Sequence, residues 1–264
     1  MDEQLYRRQD RVLASLQGLS HEQFNEAKLC GGTALSRCWL HHRVSYDLDF
    51  FLPRGFQAIP FSTSLKRGGI EMEVMGMTDD PYKANQLHGF IVHAGERLKV
   101  SFIEDSYFDV YPTVQAQLGG LIVNTESMAG LYHRKLRTVS GRLSEGSEVV
   151  GGRQTARDLF DLYVLSQTYM PIREFIATLP YAFPSDAFDN GLASMDWMSL
   201  TSELQELQCA PQWEIAKDIS TLQEALYREI GATAIDELGE RNEIDDKDDT
   251  PKHTVRGSGL GGRR

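Results

Sequence analysis

The sequence predicts an α+β protein, with a mixed sheet and its helices first and a helical domain after it. Three observations carry this. Strand-like runs such as YDLDFFL, EMEVMGM and LIVN are confined to the first 124 residues. Every periodic segment beyond Thr155 repeats at helical spacing. From about residue 238 the chain becomes charged and then Gly-rich, with few hydrophobes. Strands mixed with helices, followed by helices alone, is the order of an α+β chain or of two domains.

Residues 4–17 place Leu5, Val12, Leu13 and Leu16 on one side and read as an amphipathic helix. Ser20 with Gln23 is a capping-box pattern for a second short helix. Gly31-Gly32 ends whatever precedes it, and Thr33 is the expected N-cap of a helix over ALSRCWLHH. YDLDFFL is a strand closed by Pro53. A helix follows at 56–67, weakened by Pro60. EMEVMGM alternates, with Glu71 and Glu73 on one face; a solvent-facing edge strand explains that pair. The two runs of GFIVHAGERLKVSFIED flank Ala94-Gly95-Glu96 as a hairpin. LIVN is a short buried strand, and Thr125 is expected to start a helix through SMAGLYHRKLRTVS. GRLSEGSEVVGGRQ reads as a loop. Thr155 opens the helix ARDLFDLYVLSQ, and helices follow at 172–179, 199–208 and 212–230. The expected units are therefore a sheet domain at 1–124, a helical domain at 125–235 and a disordered charged tail at 236–264.

The informative stretch is CGGTALSRCWLHHRVSYDLDFF, from Cys30 to Phe51. Side chains alternate across a strand, so Asp47 and Asp49 share one face. They stand roughly 6–7 Å apart and repel each other. Burying them unpaired is costly. A divalent ion such as Mg²⁺ between them removes the cost; so does a solvated face whose acids pair with Arg43 or Arg37. A paired-glycine turn before a helix can bring backbone N–H groups to a phosphate. The turn, the helix and then the acids would set a phosphate cradle beside a metal site, a geometry for phosphoryl transfer.

Further on, Lys135 in HRKLRTVSGR reads as a solvated helix face sooner than as a site residue, and Asp158 and Asp161 in ARDLFDLYVL read equally as site acids and as acids favouring a helix dipole. His41-His42 and His133 complete no zinc set. Cys38 has no evident partner base. Trp39, Trp197 and Trp213 read as core residues.

GGTAL followed by HRVSYDLDFF resembles the first motif of the AbiEii/AbiGii toxin family, nucleotidyltransferase-like proteins of the DNA polymerase beta superfamily found in type IV toxin–antitoxin and abortive-infection systems. Lys135 resembles that family's helix lysine, and Arg157, Asp158 and Asp161 its RD-x-x-D pattern. The resemblance spans roughly residues 30–167. It implies a nucleotidyltransferase-like fold, with Gly31, Gly32 and Thr33 holding the phosphates of a nucleoside triphosphate. Asp47 and Asp49 would hold Mg²⁺ (or Mn²⁺), and Arg43 and Ser45 would shape the pocket. Lys135 would steady the triphosphate beside Arg157 and Asp161. Asp158 would contact Lys135, the nucleotide or the attacking hydroxyl. Asp47, Asp49, Lys135 and Asp158 would form the catalytic set.

The acceptor implied is an RNA 3′ end such as that of tRNA, and an antitoxin is the implied protein partner. One position departs: Ser101, in LKVSFIED, stands where many members of the superfamily carry a third carboxylate, with Glu104 and Asp105 as nearby substitutes. A nucleotide-binding protein that no longer transfers, or a metal-dependent nuclease, would share these acids.

Composition fits this reading. The 264 residues are 41% hydrophobic and 25% charged, values of a globular chain. No run of about 18 apolar residues suggests a membrane span. The N-terminus is acidic and lacks the apolar region of a secretory signal. Three cysteines without metal spacing suit a reducing cytoplasm. Net charge is −11, so an RNA partner would have to meet a local basic groove. Arg134, Lys135, Arg137, Arg142 and Arg153 are the expected lining of that groove.

Overall fold

The computed structural model describes residues 2–19, 22–140, 142–143, 149–150, 155–179 and 187–230. The predicted cap Ser20 and the predicted tail 236–264 lie outside these residues. Helix α1 (Glu3–Gln17) buries Leu5, Val12, Leu13 and Leu16, and Asp2 caps it by accepting from the Leu5 N–H at 3.1 Å. A short helix α2 (Glu22–Asn25) leads into strand β1 (Lys28–Cys30). The chain then turns into helix α3 (Gly31–Thr33), which continues as a π-helix over Ala34–Leu40. Strand β2 (Leu48–Leu52) and helix α4 (Ala58–Arg67) follow, then β3 (Glu71–Thr78), β4 (Gln86–His93), β5 (Glu96–Glu104), β6 (Thr113–Leu118) and β7 (Leu121–Glu126).

These seven strands form one mixed sheet in the order β3-β4-β5-β2-β1-β7-β6. The central strand β2 runs parallel to β5 and antiparallel to β1, and β1 runs parallel to β7. One face of β2 carries Leu48, Phe50 and Leu52 into the core. There Phe50 stacks on Phe102 with centroids 5.4 Å apart, and Phe24 and Phe61 close the cluster edge-on. The other face carries Asp49 and Phe51, and is left for the site.

The second half is helical, as predicted: α5 (Met128–Val139), α6 (Ala156–Thr168), α7 (Ile172–Thr178), α8 (Ala187–Ala193), α9 (Trp197–Gln205), a 3-10 helix at Pro211–Lys217 and α10 (Ile219–Ile230). Strands β8 (Arg142–Leu143) and β9 (Val149–Val150) pair within the stretch read as a loop. Helix α6 is apolar around most of its circumference, the mark of a helix enclosed by others. Among the described residues no helix is long and apolar enough to cross a membrane.

Several predicted boundaries move for identifiable reasons. The helix after the paired glycines opens at Gly31, not after Thr33, because Gly31 adopts φ +67° and turns the chain at once. Thr33 is helical, and its hydroxyl donates to the Asp47 carbonyl instead of capping. Thr125 lies in β7; Ser127 is the N-cap of α5 and accepts from the Gly130 N–H. Pro60 falls in the first turn of α4, where a missing N–H costs nothing.

Strands β1 and β6 and helix α8 were not legible. β1 is only three residues long and contains Lys28. That ammonium is buried by donating to the Phe108 and Tyr111 carbonyls at 2.6 and 3.2 Å and by lying over the Phe108 ring. β3 is an edge strand with Glu71 and Glu73 exposed, as its alternation suggested.

Candidate active site

The register of the sheet sets the site. Asp49 stands opposite Cys30 on β1 and opposite Ser101 on β5. Asp47 precedes the strand by one residue, on the same face. Both acids line a cleft of about 320 Å³ whose far wall comes from α5 and α6. Gly31, Gly32, Arg43, Ser45, Lys135, Arg157 and Asp158 share that lining, so nine of the residues singled out by sequence meet in one cavity. Thr33 and Asp161 do not line it. Thr33 is held under the floor by its bond to Asp47, and Asp161 is fully buried behind the wall.

The glycines are fixed by their neighbours. Beyond its positive φ, a Cβ on Gly31 would stand 2.9 Å from the Asp49 carboxylate. One on Gly32 would stand 2.5 Å from Arg43 Nη2 and 2.9 Å from Ser45 Oγ. A side chain at either position would fill the floor of the cleft.

The two acids are not equivalent. Burial, and then the Asp47 charge beside it, push the Asp49 carboxyl up to about 6, while a hydrogen bond from Ser101 pulls the other way. The nearest cation to Asp47 is the half-exposed Lys99, 3.9 Å from its carboxylate. That separation leaves the pair poorly neutralised. Two hard carboxylate oxygens short of positive charge are what a hard divalent cation fits. No set of three or more His, Cys, Asp or Glu side chains able to hold a metal occurs among the described residues. Neither nearby substitute for Ser101 enters the cleft. Glu104 accepts from the Gly55 and Asn85 N–H groups, and Asp105 accepts from Arg134.

Behind the opposite wall lies a closed network of charges. Arg43 donates Nε and Nη2 to the two oxygens of Asp161 at 2.6 and 2.8 Å. Lys135 Nζ lies 2.8 Å from Asp161 and also donates to Asp158. Thr155 donates to the other Asp158 oxygen at 2.6 Å. Burial works against ionising Asp161, but the Arg43 and Lys135 charges hold it well below the usual carboxylate range. Asp158 is likewise held low by Lys135 against the cost of burial. His42 is kept neutral by burial and meets Asp161 through Nε2 at 2.7 Å. Two cations and two carboxylates balance, which is how such charges survive burial.

Among the described residues the expected basic groove is only partly present. Arg134 donates to Glu126 and to Asp105 and stacks 4.1 Å over Phe51, so its charge is spent inside the fold. Arg137 lies over the Tyr107 ring at 3.7 Å. Arg153 and the side chain of Arg142 lie outside the described residues. Arg134→Ala leaves the buried Glu126 and Asp105 unpaired and should cost about 3 kcal/mol. A lowered denaturation midpoint will check it, whereas an unchanged midpoint would return Arg134 to the surface.

Sequence reasoning missed Gln86, His88 and Lys99, which also line the cleft. They come from β4 and β5, and nothing local marks them. Only the pairing of β5 with β2 brings them beside the acids.

Across residues 14–241 the chain matches the family described as nucleotidyl transferase AbiEii toxin, type IV TA system. The chain belongs to the AbiEii nucleotidyltransferase toxin family. It is thereby a nucleotidyltransferase of the type IV toxin–antitoxin class. Among solved structures, the MenT4 nucleotidyltransferase toxin of Mycobacterium tuberculosis H37Rv matches at 17% identity and a TM-score of 0.53. That match covers 92% of this chain and 90% of MenT4. JHP933 from Helicobacter pylori matches at 17% identity and a TM-score of 0.48, covering 93% of this chain and 98% of that one. At such identities the MenT4 likeness speaks for the fold alone. No curated protein matches this AbiEii chain by sequence.

Proposed function

We propose that this AbiEii protein is a Mg²⁺-dependent enzyme of the bacterial cytoplasm that moves a nucleotide from a nucleoside triphosphate to the 3′ end of an RNA such as tRNA, opposed by a cognate antitoxin. The observation that carries this is the meeting of Asp47 and Asp49 with the Gly31-Gly32 turn in one cleft. Residues 1–124 would supply the acids and the turn. Residues 125–235 would supply Lys135 and Asp158 and so complete the site.

Asp47 and Asp49 would hold Mg²⁺, or Mn²⁺. When bound, the ion neutralises charge on the reacting phosphate and favours ionisation of the attacking hydroxyl. Gly31 and Gly32 leave the cleft floor open to phosphate, and the start of the helix they begin supplies unpaired N–H groups to it. Thr33 contributes by fixing the backbone at Asp47. Ser45 and Arg157 edge the triphosphate. Arg43 and Asp161 hold Lys135 in place from behind. Lys135 presents a compact charge to the triphosphate. Asp158 orients Lys135, since both its oxygens are already engaged.

Gly32→Ala should weaken nucleotide affinity at least about tenfold, the effect of roughly 1.4 kcal/mol, because the new methyl displaces Arg43 and Ser45. Titration with a fluorescent nucleoside triphosphate measures it, and unchanged affinity would remove the turn from the nucleotide site. The reading as a whole is tested by label transfer. The purified protein is incubated with total bacterial RNA, Mg²⁺ and each α-labelled nucleoside triphosphate, beside Asp47→Ala. Label on a discrete RNA band, absent with the variant, establishes the reaction and names both substrates. Triphosphate binding without transfer would instead make the site a nucleotide sensor, the reading that Ser101 favours.

A further inference from the structure

The cleft holds a histidine that this scheme leaves unused. His88 on β4 stands opposite Ser101, and Ser101 stands opposite Asp49. Residues opposite one another on neighbouring strands share a face. Asp49, Ser101 and His88 therefore form one row across three strands, and all three line the cleft. Ser101 has the shortest side chain of the three and lies between the carboxylate strand and the imidazole strand. On its far side His88 rests against a glycine: a Cβ on Gly76 of β3 would lie 2.7 Å from Nε2. The imidazole has no hydrogen bond or ion pair to any described residue.

A transferase needs a group to take the proton of the attacking hydroxyl, and the other candidates are occupied. Asp158 has both oxygens committed to Lys135 and Thr155. Asp47 and Asp49 are the metal pair of the proposed function. Lys99 from β5, Arg134 and Lys135 from α5, Arg157 from α6 and Arg43 are cations. Glu73, from the next row on β3, is paired with Arg97 at 2.5 Å. Gln86, on the same strand as His88, cannot accept a proton.

We propose that His88 is the general base of the transfer, standing in from the next strand for the carboxylate that Ser101 replaces. The inference rests on the transferase reading. The acceptor hydroxyl sits above Ser101. Its O–H bond breaks and the proton passes to a ring nitrogen of His88. The oxygen forms its bond to the α-phosphorus, the bond from that phosphorus to the bridging oxygen breaks, and pyrophosphate leaves with the electron pair. The imidazolium then releases its proton to solvent.

The test uses the full chain, the RNA and triphosphate identified by label transfer, and His88→Gly with and without added imidazole. Loss of a proton-transfer group lowers the turnover rate by about 10²–10⁴. His88→Gly should fall in that range, bind triphosphate as wild type does, and recover at least tenfold with imidazole, in proportion to its free base. His88→Asn should lose as much and gain nothing from imidazole. His88→Gly turning over within fivefold of wild type would overturn the proposal, as would a loss that imidazole leaves unchanged. A wild-type protein that transfers no label overturns the transferase reading itself, a separate result.

Discussion

Asp49→Asn is expected to abolish nucleotide transfer while leaving the metal-free protein at least as stable as wild type. The loss follows from removing half of the proposed metal pair, whose electrostatic contribution of several kcal/mol corresponds to about 10³ or more in rate. The stability follows from the crowding of Asp49, which is desolvated and beside Asp47. Its folded-state carboxyl, pushed up to about 6, lies above the ordinary carboxylate range. The protonated form therefore binds more tightly to the folded state. This contribution to stability is complete below about pH 4 and is lost as the pH rises through about 6. Relative to Asp49→Asn, wild type should lose about 2–3 kcal/mol between those limits. Added Mg²⁺ should restore it in wild type alone. Denaturant titrations of both proteins from acid to neutral pH check this, and a pH-independent difference between them would show that Asp49 is not strained.

Asp161→Ala should do the opposite and damage the fold first. Asp161 is fully buried and receives His42, Arg43 and Lys135. Its removal strands two cations inside the protein, a change worth about 3–5 kcal/mol. At roughly 2–4 °C per kcal/mol for a chain of this size, the melting temperature should drop by about 10 °C. Asp158→Ala should cost less, because Lys135 keeps Asp161. A melting scan of the two variants decides it. If Asp161→Ala lost transfer at full stability, Asp161 would act on substrate directly.

The contrast between those two acids shows what the sequence could and could not reveal. Alternation along YDLDFF was enough to place Asp47 and Asp49 on one face, and the pattern of glycines, lysine and RD-x-x-D gathered most of the cleft. The spacing of Asp158 and Asp161 could not say which faces the cavity. That depends on Arg43, whose bond to Asp161 spans 118 positions of chain. Arg134 looked like a groove residue because the sequence does not show Glu126 and Asp105 converging on it. His88 and Lys99 were invisible for a related reason: neighbours across a sheet are chosen by strand order, and the parallel pairing of β2 with β5 leaves no local trace. The missed strand β1 is too short for any period to register.

The Val44 N–H donates to the Gln208 carbonyl and the Ala210 N–H to the His42 carbonyl, both at 2.8 Å. The segment between them carries Arg43, the arginine that grips Asp161. The last tie on this segment thus comes from residues translated more than 160 positions later. A ribosome making this protein builds the acids, the glycines and the lysine early, yet the frame around them closes only when Ala210 has been added and released. A nascent or truncated product that stops short of it carries the acids, the glycines and the lysine without the two backbone bonds that hold the Arg43 segment.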